Sequence, residues 1–486
     1  MTTSLKSSTA LLLSLSMAGC MVGPQYSAPA QPQEQHYLTD TQGGPQVNYG
    51  RALREDWWTL LGSATLNRTV EQALAQNESL VIARANLAKA QEGVAMAAGG
   101  LLPQVDAGGS AGRTKVGATA FGPQARDFPL FSAYGAGLSA TYDLDVFGGE
   151  RRQVELASAN AQVEQQALHA AHLEVTGGTV RAALQMAVVS GQIKAVTSVI
   201  EADQHTLDLV QHAVNAGVAA PLDLTLAQSQ LDRDRARLPV LSQALAINRG
   251  ALTTLVGSTE TRWSAPDFDL SALQLPTSLP VAVPSELVRL RPDIRAAEAR
   301  LQAANAWVGV TTADLYPHLT LSANLSDEAL FSGPASSAWS LIGGLAGPVF
   351  HGGTLSARKR AAEDAYQAAL AEYQQTVLRA FQQVTVSLHG LQNATDEVRA
   401  EQQALDSANT ALRLTREAYR VGNAGVVQVV ETQRLQQLAE LQWVQARGKQ
   451  YLETVNLVLS VGGGVANGAA GVAIHLAREG VRPGAS

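Results

Sequence analysis

Few side chains in this 486-residue sequence have the types and spacing of an enzyme's catalytic groups. Gly108-Gly109-Ser110-Ala111-Gly112 has the Gly-x-Ser-x-Gly spacing of a nucleophile elbow, but that motif needs a strand-to-helix turn and later acid and histidine partners. Here the serine falls inside a predicted Gly- and Ser-rich strand. His169 and His172 would share one helical face, where two imidazoles without a third ligand indicate a solvated surface more than a metal site. We therefore expect a non-enzyme that holds no cofactor and no metal.

Cys20 is the only cysteine in the sequence, and its setting predicts covalent lipid attachment. Lys6 is followed by an apolar stretch at residues 10–18, which is too short to span a bilayer. Small residues precede the cysteine, as in a bacterial lipoprotein signal. The sequence therefore predicts a signal peptide at residues 1–19 and S-diacylglycerol plus N-acyl groups on Cys20. Met21 follows, where an aspartate would indicate another destination, so we expect sorting to the outer membrane. An ordinary signal peptide with a chance cysteine is the alternative.

The composition excludes several other classes of protein. The formal net charge is -7 and no Lys/Arg-rich run occurs, so a nucleic-acid partner is not expected. One cysteine cannot form a disulfide within the chain. No stretch after the signal reaches 18 continuous apolar residues, so no transmembrane helix is predicted. A membrane-spanning role would then require a β-barrel.

Two stretches of the chain, residues 217–224 and 422–431, match each other without gaps at an offset of 205 residues. Each interrupts helix-forming sequence and begins with glycine, the residue that commonly ends helices. A second match, at an offset of 214 residues, pairs Asn77-Glu78-Ser79-Leu80 with Arg291-Pro292-Asp293-Ile294. The chain is therefore predicted to be a two-fold internal repeat, in which residues 217–224 and 422–431 are the tips of two helical hairpins.

In each repeat the spacing of apolar residues also changes, from the period of a helix to the two-residue period of a strand. Apolar residues alternate with small or polar ones in two segments of each repeat, as in membrane barrel strands of about 10 residues. The long helices that follow would each be about 100 Å long at about 1.5 Å per residue, and their apolar stripes need neighbours. Pro239 is expected to kink or break the helix after the first tip. Four strands alone leave open edges that a bilayer cannot satisfy, so the sequence predicts an oligomer.

The predicted organisation has six parts. In order, these are the signal peptide at 1–19, a lipidated tether at 20–54, repeat 1 at 55–257, a connector at 258–285, repeat 2 at 286–465 and a flexible tail at 466–486. Repeat 1 contains strands at 104–112 and 133–146, a long helix at 150–213, the tip at 217–224 and a further helix; repeat 2 contains strands at 318–326 and 338–349, a long helix at 354–420, the tip at 422–431 and a further helix.

Several short motifs occur in a fixed order along the chain. After the cysteine signal come Gly23-Pro24-Gln25-Tyr26, Trp57-Trp58, a strand hairpin ending in Phe147-Gly148-Gly149, the first tip, a second hairpin ending in Phe350-His351-Gly352-Gly353, and the second tip. This double set resembles the TolC-type outer-membrane efflux channels, and more narrowly the NodT-type lipoproteins that serve RND pumps. The resemblance covers about residues 12–465.

The resemblance implies a mainly α-helical protein with a membrane β-barrel portion. Three chains would form one twelve-stranded barrel, continued by a periplasmic α-barrel. The protein would be the passive exit duct of a tripartite efflux pump for small molecules, linked to multidrug resistance, lipid-anchored and barrel-inserted in the outer membrane. An inner-membrane RND transporter would supply the energy, and a periplasmic adaptor (membrane fusion) protein would dock on the tips at Gly217, Val218, Gly422 and Asn423. A coiled-coil periplasmic lipoprotein without a pore is the alternative function.

The resemblance also implies roles for four polar residues near the tips. Gln428 and Glu431 match acidic positions that ring the periplasmic entrance of the family, and Asp223 matches the corresponding acid of the first tip. Tyr419 matches a tyrosine whose hydroxyl helps to hold the tips closed. Gln428 is neutral where an acid is common, so this ring is expected to be less acidic than in the family. The alternative is that these side chains only cap and solvate helix ends.

Overall fold

A computed structural model of the chain describes residues 21–30, 37, 47–49, 53–115, 130–276, 279–330 and 334–464. The predicted signal peptide, Cys20 and the tail at 466–486 lie outside the described residues. The chain forms two compact units. The first comprises Met1–Pro29, Ala85–Gln165 and Ala296–Gln375, and the second comprises Ala30–Arg84, Gln166–Arg295 and Thr376–Ser486.

The helices and strands occur in two parallel series. The first series is β1 (Val47–Tyr49), a 3-10 helix (Trp57–Leu61), α1 (Ala64–Gln76), α2 (Glu78–Gly99), β2 (Gln104–Thr114), β3 (Phe131–Asp143), α3 (Gly149–Asn215), α4 (Pro221–Arg235) and α5 (Arg237–Leu255). The second is a 3-10 helix (Leu270–Ala272), β4 (Leu279–Val281), α6 (Pro284–Leu290), α7 (Pro292–Ala313), β5 (His318–Leu330), β6 (Ser336–Ala346), α8 (Thr354–Arg420) and α9 (Val426–Ser460). The long helices α3 and α8 each have 67 residues, and α2 and α7 each have 22.

The first unit contains an antiparallel four-stranded sheet with the order β2-β3-β5-β6. Its register places Leu138 opposite Leu325 and Leu325 opposite Trp339, so these apolar side chains lie in one row on one face. The adjacent row has Ser139 opposite Asn324, on the other face. Leu138, Leu325 and Trp339 are 52%, 53% and 80% exposed. The sheet therefore has one exposed apolar face and one face of small and polar residues.

The observed strands differ in their ends from the predicted ones. The strand expected at 133–146 is found at Phe131–Asp143, because Asp145 turns away to accept hydrogen bonds from the first amides of α3 at 2.9 and 3.0 Å. The strand expected at 338–349 is found at Ser336–Ala346, before Pro348, which cannot donate a ladder hydrogen bond. The strands expected at 104–112 and 318–326 are found at Gln104–Thr114 and His318–Leu330.

Both tips are shorter than the predicted ranges. α4 begins at Pro221 and α9 begins at Val426, so the later residues of 217–224 and 422–431 are helical. Proline fits the first helical position because its missing N–H has no partner there in any case. The helix after the first tip does break, but at Ala236, and Pro239 lies in the first turn of α5, where a helix tolerates proline.

The core of the second unit is built by close helix packing. α3 continues through Gly177 and Gly178. These glycines allow neighbouring helices to approach closely, since a Cβ on Gly177 would lie 2.7 Å from Leu459 Cδ1. Asn77 separates α1 from α2, and its amide nitrogen donates to the Leu255 carbonyl oxygen at 2.8 Å. Arg291, 7% exposed, donates to Asp293, Gln383 and the Ser460 carbonyl oxygen. A parallel β1–β4 pair completes this unit.

One described helix is long and apolar enough to cross a membrane by length and composition. It is Gly149–Asn215, which contains an 18-residue window of mean hydropathy 1.3, of which 39% is buried. This window includes polar residues, so the requirement for 18 continuous apolar residues did not identify it. A single such helix is weak evidence, since core helices of soluble proteins meet the same test.

Candidate functional sites at the helix tips

The first tip reverses the chain between α3 and α4 through a glycine in the left-handed region. Gly217 has φ +73° with no atom near the position that a Cβ would occupy, so conformation and not space requires glycine. The amide of Val218 donates to the Ala213 carbonyl oxygen at 2.9 Å, the 6→1 bond of a Schellman motif. Val218 itself is 79% exposed. The glycine conformation and the backbone hydrogen bonds thus form this turn, and the Val218 side chain takes no part in it.

Asp223 closes this turn onto α4. It is the third residue of the helix, and its carboxylate accepts a hydrogen bond from the Ala220 amide at 3.0 Å. Negative charge at this position also interacts favourably with the positive end of the helix. The side chain predicted for the aperture therefore has a local capping contact within its own chain.

The second tip repeats the backbone turn without that cap. Gly422 has φ +78°, and the Asn423 amide donates to the Ala418 carbonyl oxygen at 2.8 Å. Gln428 is the third residue of α9 and is exposed. Among the described residues its side chain makes no hydrogen bond. Its backbone amide donates to the Gly425 carbonyl oxygen at 3.1 Å, and its carbonyl oxygen accepts from the Thr432 hydroxyl at 2.6 Å. The two tips are equivalent in backbone and different in side-chain chemistry.

The remaining predicted tip residues are exposed. Tyr419 is 50% exposed, and Glu431 forms a loose ion pair with Arg434 at 3.7 Å. In the part of the chain that is described, no hydrogen bond or ion pair joins Asp223, Tyr419, Gln428 or Glu431 to another of the four. Both tips also expose large apolar side chains: Val218, Leu222, Val421 and Val427. A single chain therefore presents these groups outward and does not assemble them into a site.

A buried ionic cluster that the sequence did not reveal lies further along the same helices. Asp203 of α3 and Asp234 of α4 are 6% and 2% exposed. Gln230 donates to Asp234, and Arg237 lies 3.4 Å from the other Asp234 oxygen. Burial and the neighbouring Asp234 carboxyl raise the pKa of Asp203 to about 6, and Arg434 of α9 acts against this rise. Nothing in the sequence spacing connects these three residues, because they come from three helices.

A second buried arginine fixes the segment that follows Cys20. Arg152 is 1% exposed and donates from its guanidinium to the Val22 and Gly23 carbonyl oxygens, both at 3.3 Å. It also pairs with Glu155 at 2.7 Å. Gly309 leaves space for this side chain, since a Cβ there would lie 2.6 Å from Arg152 Cδ. The start of the predicted tether is thus held in the first unit.

His169 and His172 lie beside a cavity of about 360 Å³ that Glu55, Trp58 and Thr176 also line. Burial lowers the pKa of both histidines. Arg295 lowers the pKa of His169 further, and Arg84 lowers the pKa of His172 further. Within the described ranges, no group of three or more His, Cys, Asp or Glu residues could hold a metal ion.

The family model of outer membrane efflux proteins matches residues 69–258 and 283–463, one match for each half of the repeat. The chain belongs to the outer membrane efflux protein family. It is therefore an outer-membrane protein of the efflux class, and the two-fold repeat seen in its helices is the repeat of the family.

Curated relatives match this efflux protein over nearly their whole length. The pyoverdine export outer membrane protein OpmQ of Pseudomonas aeruginosa is 30% identical over 465 residues, which is 93% of this chain and 95% of the relative. The outer membrane protein OprJ of the same organism is 27% identical and covers 94% of this chain and 95% of its own.

Solved structures share the fold. The outer-membrane channel OprN is 29% identical, with a TM-score of 0.84 over 92% of this chain and 99% of that one. The MtrE outer membrane channel of Neisseria gonorrhoeae, in its open state, is 24% identical, with a TM-score of 0.79 over 92% of this chain and 98% of that one. The mostly helical architecture with four strands is thus that of TolC-type channels.

Proposed function

We propose that this efflux protein is the passive exit duct of a tripartite pump. The observation that carries the proposal is the exposed apolar face of the sheet, seen at Leu138, Leu325 and Trp339. Such a face on a four-stranded sheet of a soluble protein would need a covering layer. An apolar face that contacts lipid needs no covering layer. The opposite face, of small and polar residues, then lines a water-filled lumen.

Closure of the sheet requires further copies of the chain. Among the described residues β2 and β6 are edge strands, each paired on one side only. A bilayer offers no hydrogen-bond partner to a free edge, so β2 of one copy pairs with β6 of the next. The family resemblance supports three copies and a twelve-stranded barrel, and the exposed stripes of α3 and α8 then pack in a periplasmic α-barrel.

The helix tips form the periplasmic entrance in this assembly. Threefold symmetry multiplies each tip residue into a ring, and Asp223, Gln428 and Glu431 with Tyr419 restrict the opening. Exposed apolar side chains beside Gly217, Val218, Gly422 and Asn423 offer a docking surface to a periplasmic adaptor protein, which connects the duct to an inner-membrane RND transporter. Acyl groups on Cys20 add a lipid anchor.

A pore-free periplasmic spacer is the competing function, and conductance decides between them. The purified full chain, reconstituted in planar bilayers, is expected to give discrete ion-conducting steps. A spacer would insert no strands and would leave the bilayer silent. The control is the same protein after heat denaturation, which should give no steps.

A further inference from the structure

Asp203, Asp234 and Arg434 come from three helices and meet in the second unit. α3 and α4 belong to the first hairpin, whereas α9 belongs to the second hairpin and carries Glu431. Both carboxyl groups are buried. Asp203 Oδ2 and Arg434 Nε are buried atoms without a hydrogen-bond partner in the described part of the chain. The carboxyl groups of Asp203 and Asp234 lie within hydrogen-bonding reach of each other, so a proton on one of them supplies a partner that the ionised pair lacks.

We propose that Asp203 and Asp234 form a proton-binding carboxyl pair that controls how firmly Arg434 holds α9 against the first hairpin. With both carboxyls ionised, their combined charge attracts the guanidinium. With one proton shared between them, one carboxyl donates a hydrogen bond to the other, and the attraction for Arg434 falls. This inference rests on the proposed function, because it gives proton uptake an effect on the helix that carries the aperture residue Glu431.

The groups around the pair leave Arg434 as its principal counter-charge from the second hairpin. On the first hairpin, Gln230 donates to Asp234 and Arg237 lies 3.4 Å from it. On α9, Arg434 also faces Glu431 at 3.7 Å, and Gln437 donates to the Ser198 carbonyl oxygen at 3.2 Å. A small apolar cluster of Ala195, Val196 and Leu441 packs α9 on α3 nearby. Release of Arg434 therefore loosens one end of α9 and leaves its packed part in place.

The direction of the pH effect follows from linkage. Burial and Asp234 raise the pKa of Asp203, and Arg434 lowers it. If Arg434 moves away, the pKa of Asp203 rises further, so the released state binds more protons than the closed one. Acid therefore favours release of Arg434, with the change centred near the pKa of about 6. The same proton favours the contact between α3 and α4, because an ionised buried carboxyl pair repels itself.

Hydrogen exchange of the purified full chain tests this proposal at the two helices. Exchange is measured at about pH 5 and about pH 7.5 and corrected for the intrinsic pH dependence of amide exchange. In the wild type, protection of α9 amides at 426–436 is expected to be about tenfold lower at the acid pH. Protection of α4 should stay constant or rise. Equal protection of α9 at both pH values would overturn the proposal.

Three substitutions sharpen the test. Asp203→Asn removes one ionisable group and should leave α9 weakly protected at both pH values, and Arg434→Gln should do the same without altering the carboxyl pair. Asp232→Asn is the matched control. Asp232 also lies on α4, but its side chain is 59% exposed, pairs with Arg235 at 3.9 Å and accepts a hydrogen bond from Gln228 at 2.9 Å. It should keep the wild-type pH profile. Retention of that profile by Asp203→Asn or Arg434→Gln would contradict the proposal.

The exchange result does not depend on the duct hypothesis. A wild type that shows the pH-dependent loosening of α9 but no channel conductance would refute the proposed function and support the carboxyl pair. A conducting channel with equal α9 protection at both pH values would support the proposed function and refute the role of the carboxyl pair.

Discussion

Asp223 and Gln428 occupy the same position in the two helix starts, yet only Asp223 hydrogen-bonds back to the residue before its helix. Its carboxylate accepts from the Ala220 amide at 3.0 Å, whereas the Gln428 side chain has no hydrogen bond within the described residues. The two tips thus have the same kind of backbone turn, but only the first has a side-chain cap on the helix that follows. The neutral side chain of Gln428 therefore leaves the start of α9 without the carboxylate cap that the start of α4 has.

Adding a carboxylate to the second tip and removing the one at the first should change the stability of the two helix starts in opposite directions. Gln428→Asp supplies a carboxylate to the Gly425 amide and should stabilise the first turn of α9 by roughly 0.5–1 kcal/mol. Asp223→Ala should weaken the first turn of α4 by a similar amount. Hydrogen exchange of the first-turn amides measures both, as a change in protection of about two- to fivefold. An unchanged α4 in Asp223→Ala would show that the cap has no energetic role.

The aperture proposal makes a prediction about conductance. Replacing Gln428 and Glu431 together by Ala removes two rings of long side chains and should raise the single-channel conductance in planar bilayers. Removal of the Glu431 charge should also reduce the preference for cations. Asp232→Asn, an exposed change away from the helix starts, serves as the control and should leave both properties unaltered. If the double variant conducts like the wild type, these residues do not line the aperture.

Arg152 should be important for holding the chain that follows Cys20. Arg152→Met keeps most of the volume but leaves the Val22 and Gly23 carbonyl oxygens without their donor, at a cost on the order of 3 kcal/mol. We expect a lower apparent Tm and faster proteolysis within residues 21–30. Arg54→Met is the control, because the Arg54 side chain is 85% exposed and its ion pair with Asp56 should contribute little. Equal behaviour of the two variants would exclude the clamp.

Lipid attachment at Cys20 has a direct test. Since the chain has no other cysteine, Cys20→Ala should abolish lipid attachment, measured by incorporation of labelled palmitate. Anchorage in the outer membrane should weaken, because each buried methylene contributes about 0.8 kcal/mol to membrane attachment. Membrane fractionation gives the second readout. Undiminished label in the variant would show that the signal was misread.

Local rules of sequence predicted much of this fold. The period-two alternation located all four strands of the sheet, and the glycines at 217 and 422 located both turns, because a left-handed backbone conformation favours glycine. The ends were less accurate. Asp145 ended its strand early by capping α3, which depends on a tertiary arrangement that alternation does not encode. Pro239 was tolerated because the break at Ala236 placed it in a first helical turn.

The functional groups were less predictable than the elements that carry them. Asp223 could be selected from the repeat, but its capping bond required the structure. The burial of Asp203 and Arg152 could not be read from spacing, since each depends on helices distant in sequence. Both lie in α3, whose other residues are mainly Ala, Gln, Leu and Val, and a charged residue in such a helix is ordinarily assigned to the solvated face.

Electron cryo-microscopy of the purified full chain in detergent tests whether several copies close one barrel. We expect a threefold particle in which β2 of each chain pairs with β6 of its neighbour, so that twelve strands enclose a continuous bore with the helix tips at its entrance. A monomer, a solid bundle, or an assembly whose sheets remain open at β2 and β6 would contradict it.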